Sequence, residues 1–518
     1  MTTGAITPYR SGLRAGRDGF GQLLHAEWTK FQTVPGWVIG MIAAALVTVL
    51  LGLFAASGSS ASCNGHACSV AVGPDGEAVT DSFYFVHQPL AGNGSITVRV
   101  TSLTGGNPSR NPSGPAAAGL QPWAKAGILI KQNTTQGSAY AAIMVTGRHG
   151  VRMQYNYTGD TAGPAGPVSP ASPRWLRLAR SGDTITGYAS ANGTAWTQVG
   201  SVRLAGLPPV VPAGLFAASP AYTQVISQRL LGTSSGTQPT VAAAVFDHLS
   251  AHGTRPHGAW RGQVMGGGTD LTQGGGYHQA GGRLTVTGSG DIAPLVAGPG
   301  SLGLTVEHLL VGAYVGLITV VVVAAMFITA EYRRGLIRTT LAASPRRGRI
   351  LAAKAIVIGI VAFTAGLAAA AAAVPLGARL LRDHGNVVLP VTPLTEARVV
   401  AGTAALFAVA AVLALGIGAI VRRGAAAVSA VIVVIVLPYL LAVPHALPVT
   451  AARWLLRITP AAGFAIQQSL PQYPQVSDAY LPSSGYYPLP PWAGFAVLCG
   501  YAALAPALAI FLLRRRDA

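Results

Sequence analysis

Residues 37–56 read WVIGMIAAALVTVLLGLFAA, twenty consecutive positions without a charged side chain. As a helix such a run rises about 30 Å, the thickness of a hydrocarbon core. Runs of the same kind recur at 308–330, 350–374, 399–421, 425–443 and 492–513, so six transmembrane helices are predicted. The composition agrees. Half of the 518 residues are hydrophobic, the mean hydropathy is +0.45, and only 10% are charged, against about a quarter in a soluble domain. A cleaved signal peptide is the competing reading of 37–56. The run exceeds the usual core of about 7–15 residues, and 36 residues precede it, so it is read as a retained span.

The formal net charge of +19, from 35 basic and 16 acidic residues, would by itself suggest a nucleic-acid partner. The distribution argues against one. The only lysines are Lys30, Lys125, Lys131 and Lys354, and the arginines collect beside the apolar runs. Arg10, Arg14, Arg17 and Lys30 precede the first span. Arg333, Arg334, Arg338, Arg346, Arg347, Arg349 and Lys354 lie between the second and third, Arg422 and Arg423 between the fourth and fifth, and Arg514, Arg515 and Arg516 after the last. With six spans all four groups fall on one face, which the positive-inside rule makes cytoplasmic. Residues 1–36, 331–349 and 514–518 are then cytoplasmic. Residues 57–303 are extracellular, as is 444–491, an external loop or re-entrant segment. The expected location is the plasma membrane, with both termini inside. Lys354, near the start of the third span, is expected to snorkel to the headgroups.

Within 57–303 the apolar residues come in short bursts at 95–103, 125–131, 139–146, 150–157, 174–180, 184–190, 196–204 and 241–250, separated by turn formers. Short, evenly spaced strands predict an all-β sandwich or barrel. Residues 104–121 and 159–173 read as loops, and 289–303 as a linker back to the membrane. Cys63 and Cys68 flank a turn-like Asn64-Gly65-His66-Ala67 and read as a disulfide in an oxidising exterior; a metal site with His66 is the competing reading, one ligand short. Cys499 reads as a buried apolar residue of the last span.

Two resemblances follow from particular residues. Pro122-Trp123-Ala124-Lys125-Ala126-Gly127, Pro173-Arg174-Trp175-Leu176-Arg177-Leu178 and Ser190-Ala191-Asn192-Gly193-Thr194-Ala195-Trp196-Thr197 resemble the concanavalin A-like jelly rolls at the C-termini of β-xylosidases. That resemblance covers about 77–250. It implies a two-sheet jelly roll inserted between the first two spans, and no function, because such folds serve many. His25-Ala26-Glu27-Trp28-Thr29-Lys30-Phe31 before the first span, and Glu331 to Leu341 (EYRRGLIRTTL) after the second, resemble the permease subunits of ABC-2 type transporters over about 1–56 and 304–518. An ectodomain of this size departs from that family's usual short loop.

No GxxxxGK[ST] loop is present, so nucleotide would be hydrolysed by a separate ATPase subunit. No catalytic, cofactor or metal residue is assigned, and no enzyme activity is expected of this chain. The segment 19–34 sets Leu23, Leu24, Trp28 and Phe31 near one helical face with Glu27 and Lys30 off it, as an interfacial helix requires. The resemblance implies that this helix and the 331–349 segment touch the ATPase, through Glu27, Trp28, Lys30, Glu331, Arg333, Arg334 and Arg338; the bland reading is a helix on lipid and a topogenic arginine cluster. Glu331 is expected to pair with Arg333, Arg334 or Arg338. Trp123, Trp175 and Trp196 are candidates for stacking on sugar rings, with core or turn packing as the more ordinary role. The carboxylates of the ectodomain (Asp75, Glu77, Asp81, Asp160, Asp183, Asp247, Asp270, Asp291) give no sign in sequence that two converge as hydrolysis of a glycoside needs. The leading expectation is therefore an exporter of an amphipathic or lipid-like substrate, as a homodimer or a heterodimer with a related permease. Spans without internal charge argue against a small-ion pump. The alternative is a membrane-anchored protein that binds envelope glycan or senses the envelope.

Overall fold

Two periodicities divide the chain, and the computed structural model builds a separate layer from each. It describes residues 19–516 except 64–67, 107–118, 229–231, 255–259, 267–274, 299–302, 336–346, 443–446, 448 and 477–479. The helices are α1 (Phe20–Thr33), α2 (Pro35–Ser57), α3 (Ala313–Arg333), α4 (Arg347–Asp383), α5 (Pro393–Val421), α6 (Gly424–Ala442), α7 (Val449–Ile458) and α8 (Pro491–Arg516). Among the described residues, all but α1 and α7 are long and apolar enough to cross a membrane, with mean hydropathies of 2.2 to 2.6. The third is longer than its predicted 350–374. At 37 residues it measures roughly 55 Å, so it reaches beyond any hydrocarbon core. In α6 a π-helical turn at Ile432–Val436 precedes Pro438, where a missing N–H and a ring clash disturb regular winding.

The helical core forms around α3 and α5, while α2 turns Ile39, Ile42, Leu46, Leu50 and Phe54 outward. The packing of α2 on α3 depends on small residues. A side chain at Gly316 would collide with the Thr48 hydroxyl, and one at Gly312 with the Thr48 carbonyl. Without a hydrophobic drive between helices in lipid, such close approach is the main source of association.

In chain order β1 (Ala71–Val72) to β19 (Gly303–Leu304) lie between α2 and α3, while β20 (Val387–Val388) lies between α4 and α5. The sandwich turns on β3 (Phe83–Gly106), which is long enough to serve both layers. Its first half pairs with β11 (Val210–Ala218) and β15 (Arg261–Met265). Its second half pairs with β8 (Arg174–Ser181) and β14 (Val241–Thr254). Beyond β11 the front layer continues through β4 (Lys125–Lys131), β5 (Tyr140–Thr146), β6 (Val151–Tyr155) and β7 (Gly159–Ala162). Beyond β8 the back layer continues through β9 (Thr184–Ser190) and β10 (Thr197–Arg203), and β14 adds β17 (Arg283–Gly288) and β16 (Gly276–Ala280). A side hairpin joins β12 (Tyr222–Gln228) and β13 (Gly232–Gln238). Between the layers the core includes Val86, Val98, Ile128, Ile143, Leu176, Leu215 and Phe246.

Several expectations are corrected. The start of the predicted 159–173 loop is a strand, β7, held by β6. Strands at 83–94 and 210–218 escaped the reading because each contains a proline. Pro89 and Pro212 stand opposite each other, a pairing of the non-hydrogen-bonded kind, since neither has an N–H to donate. The linker 289–303 is partly built in: β18 (Ile292–Pro294) pairs with β2 (Ala78–Asp81), which pairs with β1. This small sheet covers the outer face of the front layer, burying Phe83, Phe85, Phe216, Leu129 and Met144.

The sandwich is seated on the bundle by several contacts. β19 runs parallel to β20, Asn386 Nδ2 donates to the Ser59 carbonyl (2.8 Å), and the Ala297 N–H donates to Tyr486 Oη (3.1 Å). Gln475 Nε2 donates to the carbonyl of Thr158 (3.1 Å). Cys63 and Cys68 form a disulfide, and Cys68 joins Ala78, Val296, Leu389 and Tyr486 in the apolar junction. His66 lies outside the described residues.

Candidate functional site

At the end of the bundle away from the sandwich, α1 is bound to the spans by four charges. Lys354 of α4 is fully buried and its Nζ lies 2.6 Å from Glu27 Oε2 and 2.7 Å from Glu331 Oε1. Lys30 closes the group from the rim, 2.8 Å from Glu27 and 3.2 Å from Glu331. The Lys354 ammonium also lies 4.6 Å from the centre of the Phe327 ring, which packs edge-on against Trp37 at 4.9 Å. Two cations and two carboxylates cancel, which is the condition for holding charge away from water. At Lys30 burial pulls the pKa down, but Glu27 and Glu331 outweigh it and leave the ammonium above its ordinary value.

Three expectations change here. Among the described residues Glu331 pairs with Lys354 and Lys30, and not with Arg333 or Arg334. Lys354 is the buried hub of the group and does not snorkel. The packed face of α1 carries Glu27 beside Phe31, while Trp28 is exposed; the ion pair with buried Lys354 accounts for the inward carboxylate. Arg333 and Arg334 are exposed, and Arg338 lies outside the described residues. One signal for the hub was present in sequence. Lys354 is the one lysine within an apolar run, and a charge there needs a partner from another element.

The three tryptophans each have a different set of neighbours. Trp123 is 5% exposed, stacked on His149 at 3.9 Å with the Arg152 guanidinium 5.6 Å away. Trp175 lies against Gly193, whose φ of +81° and lack of a side chain admit the ring, with Arg99 at 5.6 Å and His248 at 5.2 Å. Trp196 carries the Arg177 guanidinium at 4.0 Å. Each ring is therefore in contact with a basic side chain of the same domain.

The sequence reading missed a clasp under the cover sheet. Lys131 is paired with Asp81 at 2.7 Å, and Lys125 with Asp291 at 2.7 Å; both lysines are fully buried. The Tyr157 hydroxyl donates to Asp81 (2.8 Å) and accepts from Lys131 (3.0 Å). Burial lowers the Lys131 pKa, partly offset by Asp81, and raises the Tyr157 phenol, with Asp81 adding to the rise. Asp160 is held by Arg152 and Gln154, and Asp247 by Arg99 at 2.7 Å. Lys125 and Lys131 alternate with the apolar positions of β4, so they share one face of the strand, but only the return of 291–294 onto that face supplies Asp291.

On the sandwich side of the bundle Glu307 accepts a short hydrogen bond from Ser469 Oγ. Burial pushes its carboxyl up to about 7, against the lowering effect of Ser469 and backbone N–H groups. Arg398 holds the same loop through the carbonyls of Ile466 (3.0 Å) and Gln468 (2.7 Å). Gly485, with φ +89°, leaves room for the Glu307 side chain. Beside it, Tyr314 stacks on Tyr439 at 4.1 Å.

No family model matches the chain, and no curated protein matches it. Among solved structures it is similar to a protein of unknown function from Saccharomyces cerevisiae, at 15% identity and a TM-score of 0.22 over 37% of this chain and 84% of that one. It is similar also to scytalido-glutamic peptidase (10%, 0.22, 40% and 98%) and to xylan β-1,4-xylosidase from Bacillus halodurans C-125 (15%, 0.18, 32% and 33%). At these scores the likenesses carry no argument, and the description of the β domain rests on its own strand order.

Proposed function

We propose that the chain is the membrane-spanning permease subunit of an ABC-2 type transporter, exporting an amphipathic or lipid-like substrate and powered by a separate ATPase. The observation that carries the reading is the quartet of buried Glu27, Glu331 and Lys354 closed by Lys30 at its rim. It fastens an amphipathic N-terminal helix to the two spans on either side of the 331–349 segment. Trp28, Arg333 and Arg334 face outward at the same end. A push on α1 or on that segment would reach α3 and α4 through short, desolvated ion pairs. In this reading Trp28, Arg333 and Arg334 meet the ATPase, and Glu27, Lys30 and Glu331 position the surface. The face carrying the quartet is then cytoplasmic and the sandwich extracellular. The glycan-binding alternative has less support, because each candidate tryptophan is already in contact with a basic side chain.

The test is recovery of the intact chain from native membranes in mild detergent. A stoichiometric nucleotide-binding subunit is expected. Arg333→Glu with Arg334→Glu should weaken its retention roughly tenfold, as loss of rim charge does, while membrane insertion is unchanged. Recovery of the chain without any such subunit, together with no ATP-dependent activity after reconstitution, refutes the transporter reading.

A further inference from the structure

A cavity of about 150 Å³ opens between α7 and a wall made by Gln472 and residues 480–488, on the side of the bundle that carries the sandwich. Arg453 and Arg457 line it, with Gln472, Tyr480 and Tyr487. The two arginines stand four residues apart on α7 and so share one helical face. Both are exposed, and no carboxylate pairs with either among the described residues. Beside them Trp454 and Ile458 are 61% and 58% exposed, and Leu440 at the end of α6 is 54% exposed. The Arg457 guanidinium lies 5.7 Å from the Trp454 ring. α7 thus places two cations without a carboxylate partner among the described residues at the mouth of a recess, with exposed apolar side chains on the same helix.

We propose that Arg453 and Arg457 form a binding site for the phosphate of an anionic lipid headgroup, with the acyl chains lying along Trp454, Ile458 and Leu440. A planar guanidinium matches phosphate oxygens with two parallel donors. Gln472 also lines the cavity, and its amide keeps a second N–H besides the one it gives to the Tyr487 carbonyl. An indole at the interface suits the boundary between headgroup and chain. Two cations merely solvated at the interface would need neither the recess nor the adjoining apolar side chains. The inference requires the six helices to sit in a bilayer and does not depend on the transporter reading.

The test uses the full chain in neutral detergent, titrated with dioleoyl-phosphatidylglycerol or dioleoyl-phosphatidylcholine and read by native mass spectrometry. Phosphatidylglycerol should bind at least about tenfold more tightly than phosphatidylcholine. Arg453→Gln with Arg457→Gln should lower that affinity about 30-fold, the loss expected for two interfacial cations, with thermal unfolding unchanged. Arg453→Lys with Arg457→Lys should fall between, because charge remains but the fork is lost. Trp454→Ala should weaken lipid binding as well. Equal binding of the two lipids, or equal phosphatidylglycerol binding by the parent and the glutamine pair, overturns the site. Displacement of the lipid by millimolar inorganic phosphate, with binding indifferent to Trp454→Ala, overturns the lipid assignment in favour of a free-phosphate site.

Discussion

At the scale of single residues, Glu307 has the clearest measurable consequence. Its carboxyl titrates near 4.5 in an unfolded chain and at about 7 in the folded one. Below about pH 4.5 both states hold the proton and burial costs nothing. Between 4.5 and 7 the folded state keeps a proton that the unfolded state has released, so stability falls as pH rises. Above 7 the full cost remains. Allowing for the water that reaches this partly exposed side chain, the cost is about 2 kcal/mol. Glu307→Gln keeps the Ser469 hydrogen bond and removes the ionisation. Its thermal unfolding in detergent should match the parent near pH 4.5 and exceed it by about that amount at pH 8. A difference that stays constant across the range contradicts this account.

At the scale of elements, α1 differs most between its sequence and its packing. Its apolar periodicity suggests a helix lying on lipid with its charges outward. In the folded chain Glu27 and Phe31, four residues apart, make the packed face, because Lys354 has no partner within α4 and can be desolvated only against carboxylates from α1 and α3. Lys354→Met would leave Glu27 and Glu331 facing each other with only the half-exposed Lys30 between them. It should destabilise the protein by about 3–5 kcal/mol, the usual cost of removing one member of a buried pair, and expose α1 to protease. Adding Glu27→Gln and Glu331→Gln should restore most of the loss, since an uncharged site of similar volume is often as stable. Failure of that rescue would mean that shape, not charge, holds α1.

At the scale of the whole molecule, the sandwich is seated on the bundle instead of hanging from it. Both of its connections pass through the small cover sheet, the second also through the β19–β20 pair, and the 472–476 segment reaches the sandwich at Thr158. A chain with Thr158→Cys and Gln475→Cys should therefore cross-link almost completely with a short bifunctional thiol reagent. The Cys63–Cys68 disulfide takes no part in that reaction. Sparse cross-linking would mean that the two parts move independently. The seating also bears on mechanism, because rotation of α4 or α5 would be felt at β20 and at the Arg398-held loop before it reached the sandwich.

The six long apolar helices were legible in the sequence because a helix able to cross lipid satisfies its own backbone and needs only a long apolar run. The β class of the sandwich domain was legible for a similar reason, since alternation and turn residues are local. The strand at 159–162 and the proline-bearing strands were not, because a strand edge is satisfied by its partner and no residue announces which. The same holds for the charges. That Glu27, Lys30 and Glu331 would meet at Lys354 was not readable, for Lys354 lies 327 positions from Glu27. Nothing in β4 foretold that Asp81 and Asp291 would close over Lys131 and Lys125. Periodicity and composition act over a few turns of chain and fix elements. Burying a charge is favourable only where opposite charge arrives from elsewhere, and that meeting is decided by tertiary structure alone.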